Sequence, residues 1–241
     1  MPPDDHATVS PVEYHTRLDP HGAAAGLSDV ILGGQDGLVN VVGVILGVAA
    51  ASNDPRIVLA AGLATALAES VSMAAVAYTS TQARRAHHES EMAREHRHIR
   101  QVPELEREEI REIYRRKGSE GPLLESIVAT ITSNPDVWVA VMMAEEHRLP
   151  EVPAHDALRS AAVVGLAAVA GSLIPLLPFF FLALRTAIFG SIAAAGLSLF
   201  GVGAYKARTT GGGWLRSGVE MAAIGMAAAF IGYGVGVLFQ A

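Results

Sequence analysis

Residues 29–51 read DVILGGQDGLVNVVGVILGVAAA, an apolar run of membrane length that carries Asp36 between Gln35 and Gly37. A spanning helix takes about 20 mostly apolar residues at about 1.5 Å of rise each, and this run is long enough. A carboxylate in hydrocarbon is expensive, so such a residue faces a pathway, a partner or water. The stretch therefore sets two expectations: a helix that crosses a bilayer, and a polar task inside it.

Working outward, five segments have the length and composition to span: Val30–Ala51, Ile57–Thr81, Ala161–Leu182, Ala187–Tyr205 and Gly218–Phe239. Across the 241 residues, 51% are hydrophobic and 17% charged, with a mean hydropathy of +0.33. The charge is concentrated between the second and third spans, which is the pattern of a membrane protein with a soluble insert. The absence of cysteine excludes disulfides, thiolate metal sites and iron–sulfur clusters. A formal charge of −6 without a basic–aromatic motif argues against nucleic-acid binding. The opening residues are acidic and polar, lack the pattern of a signal peptide, and read as a cytosolic tail with solvated His6, His15 and His21.

Basic residues set the orientation. Residues 83–159 hold twelve of the eighteen Lys and Arg, and Lys206, Arg208 and Arg216 precede the fifth span. Only Arg56 and Arg185 fall in the two short links on the other side. The amino terminus and insert are thus expected in the cytosol and the carboxyl terminus outside. The expected fold class is an all-α membrane protein of five transmembrane helices with a cytosolic helical metal-binding insert. The expected divisions are a tail over 1–26, spans one and two over 27–83, the insert over 84–158, and spans three to five over 159–241.

The segment TSTQARRAHHESEMAREHRHIR has no breaker, so the second span is expected to continue into the insert. Pro103 opens the next helix and Gly118 stops it; Pro122 starts another; Asn134 caps a last one, with Pro135 at its first position. Asp156 is placed to cap the helix of the third span, and Pro175 and Pro178 are expected to kink it.

Depth brings the polar residues of the first two spans together. Asp36 lies about 13 Å in from Leu27, and Met73 about 15 Å from the same side on the antiparallel second helix. Glu69 is one turn deeper on the face of Met73. Two carboxylates and a thioether at one level suit a divalent transition metal better than magnesium or calcium. The plain alternative is that Asp36 bonds to Asn40 and Met73 merely packs. Gly33, Gly34 and Gly37 permit close helix approach or local unwinding beside Asp36.

The insert, between 84 and 158, contains thirteen glutamates, and their spacing matters more than their number. Glu91, Glu95 and His98 form one helical row, Glu108, Glu109 and Glu112 another, and Met142, Met143 and Glu146 a third. Carboxylates facing one another from different helices build metal sites in bundles. The competing reading is a solvated charged surface, with Glu112 paired to Arg116 and Glu108 to Arg111. Two adjacent methionines are not expected to face one core, which favours metal for VMMAEE.

Several of these segments together resemble the vacuolar iron transporter family: DGLVNVVGVILG, ESVSMAAVAYTS, EEIREIYRRKG, VMMAEE, GSLIPLLPF and GVGAYKARTTGGGWLRSGVEM. They run in order over nearly everything after residue 27. The resemblance implies a homodimer of five-span subunits that moves ferrous iron, and often manganese, out of the cytosol in exchange for protons. It assigns Asp36 and Met73 to the membrane pathway, and Glu109, Glu112, Met142, Met143 and Glu146 to metal capture by the insert. His98 and Gln101 stand where family members often carry glutamate, and Ala77 replaces a membrane carboxylate.

The expected protein is therefore a transporter and not an enzyme, with no prosthetic group. Its cargo is Fe(II), with Mn(II), Co(II) and Zn(II) sharing the ligand chemistry; its partners are protons, a lipid bilayer and a second copy of the chain. The brevity of the chain points to a bacterial plasma membrane, although the topology would serve a vacuole equally well. Two rivals stand beside it. A carboxylate-bundle iron-oxidising or storage protein predicts paired Glu-x-x-His motifs, of which only Glu95–His98 is present. A non-transporting membrane scaffold predicts dispensable membrane carboxylates.

Overall fold

The structure, a computed structural model, describes residues 23–209 and 211–239; His6, His15 and His21 lie outside them. The described residues form eight helices and no strand: α1 (Ala23–Ser52), α2 (Pro55–Gln101), α3 (Pro103–Arg116), α4 (Gly121–Thr132), α5 (Pro135–Glu145), α6 (Asp156–Phe181), α7 (Leu184–Thr209) and α8 (Trp214–Leu238). Local chemistry sets the ends. Between α1 and α2, Asn53 takes a φ of 50° and Asp54 Oδ1 accepts the Arg56 N–H at 2.8 Å. Pro103 opens α3, and Gly118, at φ 91°, follows its end. Asn134 Oδ1 accepts the N–H groups of Asp136 and Val137, capping α5, whose first residue is Pro135. α2 runs unbroken for 47 residues, and α6 stays one helix with Pro175 and Pro178 inside it.

The described residues form two compact units: those up to residue 77 with those from 158 onward, and residues 78–157. In the first, α1 is the central helix. Its Val41, Val42, Ile45 and Leu46 are buried, and they share a core with Val58 of α2, Leu176 of α6, Leu199 of α7 and Ala229 of α8. Glycines let these helices meet backbone to backbone. A Cβ at Gly232 would stand 2.1 Å from the Gly43 carbonyl oxygen, and one at Gly236 would stand 2.0 Å from that of Gly47. Two small-x-x-x-small stripes thus form the α1–α8 contact. Large apolar side chains such as Leu67, Leu166, Phe189, Leu197 and Phe230 point outward, as helices solvated by lipid require. Five helices, α1, α2, α6, α7 and α8, are long and apolar enough to cross a membrane.

The second unit joins the end of α2 to α3, α4 and α5 around Ile99, Ile110, Ile113, Leu124, Val128, Trp138, Val139, Met142 and Met143. Helices α4 and α5 are apolar enough to span only as a pair, and they bend by 113° where they meet. Their apolar faces are consumed by this core. Met142 and Met143 are both buried in it, at 0% and 4% exposure, against the expectation that neighbouring methionines could not share one core. Adjacent residues on a helix are only about 100° apart, and α5 is short enough for its surroundings to enclose both directions.

Candidate functional site

Asp36 lies on α1, half-buried, and its Oδ2 accepts a hydrogen bond from Asn40 Nδ2, one turn on, at 3.2 Å. Glu69, on α2, faces this pair, its carboxyl interacting with the side chains of Asp36 and Asn40. The structure thus brings Asp36 and Glu69 together from two helices of the apolar spans. Met73, also half-buried, follows one turn after Glu69 on α2. The glycines beside Asp36 serve close approach and not unwinding, since α1 is continuous through them. A Cβ at Gly33 would stand 2.2 Å from the Val164 carbonyl oxygen, and one at Gly37 would stand 2.3 Å from that of Ala168, both on α6.

The second cluster lies within the insert. Ligand atoms of Glu95, His98 and Glu106 lie within 4.8 Å of one another. His98 Nδ1 is 3.7 Å from Glu95 Oε1 and 3.5 Å from Glu106 Oε1, and His147 Nε2 is 3.1 Å from Glu95 Oε1. Glu109 and Glu146 line the same cavity, of about 360 Å³. Two chain reversals assemble it. Val102, at φ −135° and ψ 51°, separates α2 from α3 and returns Glu106 to His98. After α5, Arg148 takes a left-handed φ of 54° next to His147.

Glu95 and Glu106 are each 3% exposed, and each has an Oε2 with no hydrogen-bond partner. Burial, followed by the charges of Glu109, Glu95 and Glu146, pushes the Glu106 carboxyl up from 4.5 to about 7. Glu146 is also raised, by desolvation and then by the charge of Glu109, while His147 pulls the other way. Glu108 and Glu112 lie outside the cavity. Both are exposed, Glu108 pairing with Arg111 and Glu112 with Arg115 at 2.5 Å. The observed partner of Glu112 is therefore Arg115 in place of Arg116. Met142 and Met143 belong to the apolar core.

The sequence profile of the VIT family matches residues 27–237, a range that includes both clusters. The chain belongs to the VIT family. It is 33% identical over 213 residues to vacuolar iron transporter 1 of Tulipa gesneriana, covering 88% of this chain and 86% of the relative. Against vacuolar iron transporter 1 of Arabidopsis thaliana it is 34% identical over 219 residues, 88% of each. With the protein of that name from Eucalyptus grandis it shares 30% over 234 residues, 95% of this chain and 94% of the relative.

Within this VIT chain, Glu106 and His147 are the cluster members that the spacing of the sequence did not single out. A usable signal exists for Glu106. It precedes Ile110 and Ile113 by four and seven positions, and all three are buried on one face of α3. The carboxylate occupies a core position of an amphipathic helix. His147 carries no comparable signal, because it lies beyond the end of α5.

Proposed function

We propose that this chain moves ferrous iron across a membrane, from the side of its insert and in exchange for protons, with manganese sharing the route. The observation that carries this reading is that Glu69 faces the hydrogen-bonded Asp36–Asn40 pair from a second helix of membrane-spanning length. Two carboxyls that face each other either share a proton or clamp a divalent cation. Proton and metal are then alternative occupants of the same oxygens, which is sufficient in principle for antiport. Met73, one turn away, would add a softer ligand that favours iron(II)-like ions over magnesium or calcium. The names of the relatives support iron as cargo.

In the same reading the insert is cytosolic and gathers the ion on its glutamates, where several negative charges raise the local cation concentration. Two copies of the chain form the working unit, in the plasma membrane of a bacterium. The test is Fe(II) uptake into sealed proteoliposomes with an imposed pH gradient, with internal pH recorded at the same time. Wild-type protein should couple metal entry to proton exit, and Asp36→Asn should abolish both while metal binding to the insert is retained. Transport that survives Asp36→Asn and Glu69→Gln would remove the pathway from these residues. Metal entry with no proton movement would remove the exchange.

A further inference from the structure

We propose that the groove between α7 and α8 holds one anionic phospholipid, its phosphate on Arg185 and Tyr233 and one acyl chain in the apolar slot beneath them. On α7, Arg185, Ile188, Phe189 and Ile192 recur at three- and four-residue intervals and so share one face. On α8, Met226, Ala229, Phe230 and Tyr233 do the same. The two helices run antiparallel, which sets Arg185 level with Tyr233 and Ile192 level with Met226. Leu46 of α1, 1% exposed, closes the floor of a cavity of about 400 Å³. From Arg185 to Ile192 the slot runs about 10 Å along α7, at about 1.5 Å of rise per residue.

Two features select the occupant. The slot is apolar and opens between Phe189 and Phe230, which are 73% and 65% exposed on the lipid-facing side. Water there would find no polar partners, and an empty slot forfeits dispersion contacts on every wall, so a hydrocarbon chain fills it. Only the mouth is polar. Arg185 is the second residue of α7, beside the α6–α7 turn at the end of the span. Among the described residues it makes no ion pair or hydrogen bond, and the Tyr233 hydroxyl is likewise unpartnered. A guanidinium that donates to phosphate oxygens, next to a tyrosine at headgroup level, suits a phospholipid. Among the described residues no carboxylate lines the groove, so the positive charge favours a lipid of net negative charge over a zwitterionic one. A second copy of the chain fits less well, because a two-fold contact through this face would bring two Arg185 side chains together with no acid between them. The site rests on the lipid-facing side of the spans and not on transport.

The full-length chain in detergent would be titrated with phosphatidylglycerol or with phosphatidylcholine of the same acyl chains, and bound lipid counted by native mass spectrometry. Wild-type protein should take its first phosphatidylglycerol about fivefold more tightly than phosphatidylcholine, the preference that one basic side chain confers. Arg185→Gln should bring the two lipids level, and Arg185→Lys should restore part of the difference. Arg185 is exposed, so these variants keep the fold. Arg56→Gln, at the α1–α2 turn, should leave the preference intact. Ile192→Trp, which fills the slot beneath the mouth, should weaken both lipids alike. Equal binding of the two lipids by wild-type protein, or a preference that survives Arg185→Gln, overturns the site. Lipid binding unchanged by Ile192→Trp removes the acyl chain from the slot. Displacement of phosphatidylglycerol by inorganic phosphate would also overturn the proposal, since the chain would then contribute nothing. So would a change of oligomeric mass in Arg185→Gln, which would make this face a contact between copies. Because binding is read in detergent without metal, failure of the transport assay leaves this result standing.

Discussion

Substituting Gly33 or Gly37 by alanine tests how α1 holds Asp36. The Cβ at Gly33 would fall 2.2 Å from the Val164 oxygen, 3.0 Å from its carbonyl carbon and 3.1 Å from its Cα. At Gly37 the corresponding distances are 2.3 Å to the Ala168 oxygen and 2.7 Å to Ser172 Oγ. An ordinary carbon–oxygen contact needs about 3.3–3.6 Å, so α1 and α6 must part by about 1 Å. The obstructing atoms are mostly backbone, and no side chain can simply swing away. Overpacking of this kind costs about 1–3 kcal/mol, against a gain of up to about 1 kcal/mol from replacing a mid-helix glycine. Each variant should therefore lose about 1–2 kcal/mol, read as a fall of several degrees in the unfolding temperature in detergent. Transport should fall with it, because Asp36 lies between the two glycines. Gly34 supplies the internal control: its Cβ would lie 3.6 Å from the Ala167 oxygen, an ordinary contact, so Gly34→Ala should be neutral or mildly stabilising. If Gly33→Ala and Gly37→Ala were as stable as Gly34→Ala, the α1–α6 contact would not be as close as described.

The remaining predictions concern the insert. Glu106 has a folded value of about 7 against an ordinary 4.5, so the folded state holds this proton more tightly than the unfolded one. That contribution to stability is present below pH 4.5 and is lost as pH rises through 7. Its ceiling is about 3 kcal/mol, and in chelator Glu106→Gln should flatten the dependence. Trp138, buried in the insert core, reports this by fluorescence in a Trp214→Phe background; an unchanged slope would count against the buried carboxylate. Met142→Ala should cost about 2–5 kcal/mol as a cavity, while Met142→Leu should cost less than about 1.5 kcal/mol and leave Zn(II) affinity intact; metal loss in the leucine variant would make Met142 a ligand. Glu125, held below the usual carboxylate range by its hydrogen bonds to Arg111, is exposed. Glu125→Gln should leave the unfolding temperature of the insert nearly unchanged at high salt, as screened surface pairs do.

Much of the fold is legible in the sequence because a membrane imposes a single requirement. A helix solvated by lipid must be about 20 residues of nearly unbroken apolarity, and five runs meet it. Helix ends in the insert are legible for a local reason, since Pro103, Gly118 and the Asn134–Pro135 pair act through their own backbones. Partners across space are less so. The proximity of Asp36 and Glu69 follows from counting residues along two antiparallel helices, whereas which glycines meet which carbonyls does not. That depends on the rotation of each helix about its axis, and a helix apolar on every side leaves its rotation undefined.

The insert site separates what helical spacing carries from what it omits. Glu108, Glu109 and Glu112 are spaced to share one face, yet only Glu109 lines the cavity, because arginines on α3 draw the other two outward. Glu106 is set apart by the company it keeps: four and seven residues before buried isoleucines, it occupies a place where an apolar side chain would be expected. Glu91 and Glu95 do the same on α2, buried at four-residue intervals before Ile99. A carboxylate in the apolar stripe of a helix lowers stability unless something neutralises it, so its presence there is more informative than a larger number of acidic residues on a wet face.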